Sequence, residues 1–258
     1  MKRWSVCVVA GTRPEILKLA PVVRALRGPD SPIEVATCLS GQHVDLADAA
    51  LAAVGGDFPL DHDLRGITAT SAGLTAGLAE LLLRIGDVLD QVRPTAVIVQ
   101  GDTNTTLAAG LAAFHRELPV IHVEAGLRTR DPSRPFPEEM NRRMVSRLAA
   151  LHLAPTESAR DHLRAEGIDD AHIVVTGNPG IDTLRAVAAV PDAAADDALA
   201  APPGVRTLLV TMHRRENVSA VSAVSAAISA LLAARSDLRV LWVAHANATR
   251  YRVEAVMR

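Results

Sequence analysis

The segment VVAGTRPEILKLAP, residues 8–21, decides the fold, because the chain changes its period inside it. Its first half is an unbroken apolar run, the pattern of a strand buried on both faces. Its second half is helical: Pro14 suits the first helical position, where a missing N–H costs nothing, and Thr12 is placed to cap it. A buried strand that turns through Gly11 straight into a helix opens a parallel α/β sheet. In such sheets ligands bind at the carboxyl ends of the strands, beside helix N-termini. Only one glycine stands in the turn, so the G-x-G-x-x-G dinucleotide fingerprint is absent and NAD is disfavoured. A cation stands there instead. Arg13 offers a fork of donors suited to a phosphate at the crevice, and Lys18 follows about one helical turn later. The alternative for this pair is a solvated loop arginine and a surface lysine.

The same alternation runs outward from this unit. Apolar runs SVCVVA, IEVATCLS, TAVIVQ, PVIHVEA, LHLAP and HIVVTG are separated by helical stretches at 14–26, after Asp45, at 71–91, at 105–115, after Glu138 and at 157–166. This pattern predicts a doubly wound parallel sheet, Rossmann-like α/β in class, covered by helices on both faces. The turn residues of GNPG suggest a hinge, giving a first domain of residues 1–177. An Ala-, Asp- and Pro-rich stretch at 186–204 then precedes a fresh α/β start: strand RTLLVTM, loop HRREN, helix SAVSAVSAAISALLAA, strand LRVLWVAHA and a short helix to Arg258. That second Rossmann-like domain, 178–258, has about two strands where an open sheet uses around four to six, so it is expected to be truncated.

With 258 residues, 49% hydrophobic and 22% charged, the composition is globular and a packed core is expected. A net charge of -2 gives no basic field for nucleic acid and no polybasic tail for membranes, so an anionic ligand has to be met by local cations. Cys7 and Cys38 lie in apolar runs and are expected as buried thiols rather than a disulfide or metal pair. The N-terminal MKRWSVCVVAG has a short apolar run and no small-residue cleavage site, which fits a cytoplasmic protein. No stretch reads as a transmembrane span. Metal spacings, a G-x-S-x-G elbow and a Walker loop are absent as well.

The remaining strand ends carry the other candidates. In VIVQGDTNTTLA, Asp102 stands at the mouth of the crevice; it serves either there or as a cap of the following helix. VIHVEAGLRTRD places Glu124 at a strand end with Arg128 close behind, and charge entering a buried strand is costly unless paired. His122 reads as a satisfied core histidine. In RPFPEEMNRRM a helix begins around Glu138, and Glu138 and Arg142 share a helix face, where an ordinary ion pair is worth about 0.3–0.5 kcal/mol. SGQH is a polar loop after a strand, and TMHRREN presents His213, Arg214 and Arg215 after a strand of the second domain.

Taken together, GTRPEILKLAP, SGQH, QGDTNTTLA, HVEAGLRT, PFPEEMNR, PTE, TGNPGIDTL and HRREN resemble the non-hydrolysing UDP-N-acetylglucosamine 2-epimerases in order and spacing, from about residue 5 to 217. The resemblance implies a GT-B-type pair of Rossmann-like domains with the UDP-sugar in the cleft, a homodimer, and no redox cofactor or metal. It implies interconversion of UDP-GlcNAc and UDP-ManNAc by elimination of UDP to 2-acetamidoglucal and re-addition. Carried over residue by residue, Arg13, Lys18, Asp102, Glu124, Glu138, Arg142 and His213 fall on active-site positions, Gln42 on a neighbouring one and His245 on a nucleotide contact. Asp102, Glu124 and Glu138 are the candidates for acid and base, with Arg13 and His213 on the departing UDP. Departures are GNPG in place of G-N-T, VAHANATR in place of V-H-x-N-P, and the absence of a D-S-G-G-x-Q-E-E segment and of a final helix. These leave two other readings: a non-catalytic UDP-sugar-binding or partner-binding remnant, and a UDP-sugar hydrolase or GT-B glycosyltransferase using the same cleft.

Overall fold

The computed structural model describes residues 4–41, 44–65, 73–189, 201–212 and 220–243. The chain forms two compact units, Met1–Val190 and Pro191–Arg258. In the first unit β1 (Trp4–Ala10), α1 (Arg13–Leu26), β2 (Ile33–Leu39), α2 (Val44–Val54), β3 (His62–Asp63), α3 (Gly73–Val92), β4 (Ala96–Gln100) and α4 (Asn104–Phe114) follow one another. After them come β5 (Val120–Val123), α5 (Glu138–Leu148), β6 (Ala149–Ala154), α6 (Glu157–Ala165), β7 (Ile173–Val175) and α7 (Gly180–Ala188). The seven strands form one sheet in the order β3-β2-β1-β4-β5-β6-β7, with parallel neighbours throughout. This is the doubly wound arrangement expected from the apolar runs, and its strand order reverses direction between β1 and β4.

Strand pleating divides the core. Val6, Val8 and Ala10 of β1 point to the face covered by α1, where Ile16, Leu19, Ala20 and Val23 recur at helical spacing. Cys7 and Val9 point to the other face and pack with Leu81, Ile85 and Leu89 of α3 and Leu107, Ala108 and Ala112 of α4. Each such large side chain contributes roughly 1.5–3 kcal/mol by leaving water. Both cysteines are free and buried; burial pushes the Cys7 thiol up to about 12.

Pro21 lies inside α1 and has no N–H to give to the carbonyl of Leu17 one turn earlier. The Thr183 hydroxyl of α7 donates to that carbonyl instead. Thus α7 packs on α1, and the first unit ends at Val190 rather than after Gly177, where the turn residues suggested a hinge. β3 was not foreseen either, since two residues carry no period.

The second unit contains β8 (Arg206–Thr211), α8 (Val221–Ala234) and β9 (Leu238–Val243), with β8 and β9 parallel. α8 buries Val221, Ser225 and Ile228, one stripe of a helix that the serines interrupt without breaking.

Candidate active site

The carboxyl ends of β1, β4 and β5 meet where the strand order reverses, and a pocket of about 150 Å³ opens there. Its walls include Glu15, Lys18, Gln100, Asp102, Glu124 and Arg142. The turn after β1 can approach α4 because Gly11 lacks a side chain. A Cβ there would stand 2.1 Å from Thr105 Oγ1 and 2.8 Å from Ser40 Oγ.

Two ion pairs face this pocket. Lys18 Nζ lies 2.5 Å from Glu124 Oε2, and Gln100 Nε2 donates to the same oxygen at 2.6 Å. Glu124 has φ of 64°, in the left-handed region that a residue with a long side chain occupies only at a cost of about 1–3 kcal/mol. That backbone turns its carboxylate back over the end of β4. The second pair joins Arg142 of α5 to Asp102, through a hydrogen bond from Nη2 to Oδ2. Asp102 is therefore not the helix cap; Thr103 is, accepting from the Thr106 N–H at 3.2 Å.

The turn that carries Asp102 is clamped from three sides. Asn141 Nδ2 donates to the Asp102 carbonyl and to Asn104 Oδ1, each at 3.0 Å. His122 Nε2 lies 2.8 Å from the Gly101 carbonyl, which can only accept, so this nitrogen carries the hydrogen. Burial pushes the His122 imidazole down to about 4, and its Nδ1 is buried without a partner among the described residues. Among the described residues the satisfied core histidine read from the sequence is satisfied on one side only. From beneath, the Glu15 carboxyl group accepts from the N–H groups of Gly11 at 2.9 Å and Thr12 at 2.6 Å, and from the Thr103 hydroxyl at 2.7 Å.

Other sequence candidates stand apart from the pocket or take other partners. Glu138 begins α5, is half-buried and has no partner among the described residues. The expected Glu138–Arg142 ion pair does not form, because Arg142 turns to Asp102 and to Glu139, 3.5 Å from its Nη1. Glu139 is buried and also holds the chain before α5 by accepting from the Thr129 N–H at 3.1 Å. Arg128 does not reach the pocket either: it donates twice to Glu166, at 2.7 and 2.8 Å, and holds that carboxyl below its usual range. Arg13 is exposed at the start of α1, without a partner among the described residues and outside the pocket walls. Gln42, His213, Arg214, Arg215 and His245 lie outside the described residues.

Residues that the sequence reading passed over are Glu15, Gln100, Asn141 and Glu139. A signal existed for Glu15, since T-x-x-E opening a helix is a capping box. Gln100 is the one polar residue closing an apolar run, which marks a strand end but not a partner. Among the described residues no group of three His, Cys, Asp or Glu is placed to hold a metal, and no helix is long and apolar enough to cross a membrane.

Residues 27–258 match the pattern of the family described as UDP-N-acetylglucosamine 2-epimerase. The chain belongs to that family. A probable UDP-N-acetylglucosamine 2-epimerase of Ralstonia nicotianae is 38% identical over 252 residues, which are 94% of this chain and 66% of that protein. The UDP-N-acetylglucosamine 2-epimerase of Escherichia coli O157:H7 is 37% identical over 250 residues, 94% of this chain and 65% of its own length. This chain thus spans about two thirds, or slightly less, of the family members it matches. Among solved structures, the UDP-GlcNAc 2-epimerase of Neisseria meningitidis bound to UDP-GlcNAc superposes with a TM-score of 0.88 at 32% identity, over 98% of this chain and 69% of that one. A putative family member from Listeria monocytogenes gives 0.89 at 35% identity, over 100% and 67%. MurG of Acinetobacter baumannii, 13% identical with a TM-score of 0.53, shares the fold alone.

Proposed function

We propose that the chain acts as a UDP-N-acetylglucosamine 2-epimerase, interconverting UDP-GlcNAc and UDP-ManNAc. The observation that most supports this is the convergence of two carboxylates, Glu124 and Asp102, each held by a cation, on one pocket at the switch point of the sheet. The sugar C2 hydrogen is not acidic in the way of one beside a carbonyl, so the C1–O bond has to break as the C2 proton is taken. The C2–H electrons form the C1=C2 bond, UDP departs with the C1–O pair, and 2-acetamidoglucal remains. Adding a proton to C2 from the opposite face and returning the UDP oxygen to C1 gives the epimer. Two proton-handling groups are needed, and Glu124, Asp102 and Glu138 form the set from which they are drawn.

Arg13 and His213 are assigned to the charge on departing UDP, where a single donor is worth roughly 3–4 kcal/mol. The exposure of Arg13 and its lack of a partner among the described residues support that assignment, since its charge is free for a ligand. Lys18 orients Glu124, and Arg142 orients Asp102. Gln42 and His245 are assigned to substrate contacts. In this reading the second unit, Pro191–Arg258, supplies the first part of a nucleotide-binding domain, the protein works in the cytoplasm as a homodimer, and the reaction uses no cofactor.

Proton NMR of the chain with UDP-GlcNAc in D2O tests the reading. Deuterium at C2 together with UDP-ManNAc is the expected result. UDP binding without exchange would favour a nucleotide-binding remnant, and free ManNAc would favour a hydrolase.

A further inference from the structure

Glu15 and Glu139 are the buried carboxyl groups among the described residues, and their surroundings differ in kind. Glu139 is met by two arginines, Arg142 and Arg143, and its carboxyl is held below the usual range although burial opposes this. Glu15 is met by no cation among the described residues. Its Oε2 accepts from two backbone N–H groups, and its Oε1 lies 2.7 Å from the Thr103 hydroxyl and 3.0 Å from the Thr106 hydroxyl. The charged groups sharing its pocket are Lys18 of α1, Asp102 before α4, Glu124 after β5 and Arg142 of α5, and they pair with one another rather than with Glu15.

Thr106 has one hydroxyl hydrogen, and its shortest contact, 2.7 Å, is to the Gln100 carbonyl, which can only accept. Thr103 gives its hydrogen to Glu15, accepts from the Thr106 N–H and has its hydroxyl oxygen 3.2 Å from that of Thr106. With the Thr106 hydrogen on the Gln100 carbonyl, the 3.0 Å contact between Thr106 Oγ1 and Glu15 Oε1 gains a hydrogen of its own only when Glu15 supplies it. We propose that Glu15 is a positioning residue held in the folded protein as the neutral carboxylic acid, its proton donated to Thr106. It thereby locks the Gly11 and Thr12 turn against the turn that carries Asp102.

One chain of donors runs from Thr103 to Glu15, from Glu15 to Thr106 and from Thr106 to the carbonyl of Gln100, whose side chain holds Glu124. Burial independently raises the Glu15 carboxyl, more than its hydrogen bonds lower it. A neutral Glu15 also adds no unpaired negative charge to the floor of the pocket. The proposal concerns the chain's own geometry and does not depend on which ligand the pocket takes.

Infrared spectroscopy of the 258-residue chain at neutral pH, compared with Glu15→Gln, tests it. A carboxylic-acid C=O band present in the parent and missing in Glu15→Gln is expected. Thr106→Val leaves Glu15 in place but removes the acceptor of its proton, so the same band is expected to shift. Glutamine reproduces the neutral acid, with its amide N–H₂ toward the two hydroxyls. A carboxyl raised by folding makes stability fall as pH rises above the unfolded-state value. Glu15→Gln is therefore expected to melt no lower than the parent at pH 7, with an advantage that grows between pH 5 and 7, whereas Glu15→Asp, too short to span the turns, melts lower. The absence of an acid band in the parent, or a band unmoved by Thr106→Val, would overturn the proposal. So would a Glu15→Gln variant whose melting relative to the parent does not change with pH.

Discussion

Lys18 and Glu124, 106 residues apart in the chain, meet with Nζ 2.5 Å from Oε2, and Gln100 closes on the same carboxylate oxygen from β4. Three consecutive strands of the sheet order, or the turns they feed, thus converge on one carboxylate. Its left-handed backbone is a strain that the surrounding contacts hold in place.

Glu124→Gln keeps the shape of that group and removes its capacity to take a proton. C2 deuteration from UDP-GlcNAc is expected to slow by about 10²–10⁴-fold, the usual worth of a positioned acid or base. Melting is expected to change little. Exchange at the parental rate would remove Glu124 from the chemistry.

Gln100→Ala leaves Glu124 in place but deprives it of one of its two donors among the described residues. Since Lys18 remains, turnover is expected to fall about tenfold, the worth of roughly 1.4 kcal/mol, with a smaller change in UDP affinity. Steady-state kinetics of the NMR-detected reaction separate the two. An equal loss in KM alone would mean that Gln100 serves binding rather than orientation.

Gly126 has φ of 90°, and a Cβ there would stand 2.2 Å from the Ala159 carbonyl oxygen of α6. Both the backbone and the space therefore demand glycine. Gly126→Ala is expected to cost about 2–4 kcal/mol and to lower the chemical-denaturation midpoint without changing its slope. A variant as stable as the parent would show that α6 yields easily.

His122 is neutral when folded down to about pH 4, while its unfolded-state value is ordinary. The unfolded chain therefore binds the extra proton, and the stability that depends on this group is full above about pH 6.5 and falls as pH drops toward 4. The loss is expected to be on the order of 2 kcal/mol by pH 5. His122→Gln, which cannot titrate, is expected to show a flatter stability profile between pH 6.5 and 5. Parallel profiles for the two proteins would count against a buried neutral imidazole.

Much of this was legible in one dimension. Apolar runs of five to seven residues such as β1, β2 and β4 announce parallel strands because both faces are buried, and a periodic stripe such as Ile16, Leu19 and Val23 announces its helix. Asp102 and Glu124 were legible as well, because a carboxylate at the end of such a run has no place in the core. Partners were not legible. Sequence spacing offered Glu138 to Arg142, four residues away on one helix, and tertiary packing gave that arginine Asp102 from another strand end. Asp102 read equally well as a helix cap until Thr103 was seen to fill that place.

What the sequence determined by itself is the doubly wound class, the strand ends that bear charge and the family, since each depends on local period or on motifs kept in order. Tertiary structure alone decided which charges pair, that α7 belongs to the first unit through the carbonyl that Pro21 leaves free, and that Glu15 is buried without a cation among the described residues. Those outcomes depend on distances between residues remote in the chain. The hydrogen-bonding and desolvation energies that fix them arise only once the sheet has brought the turns together.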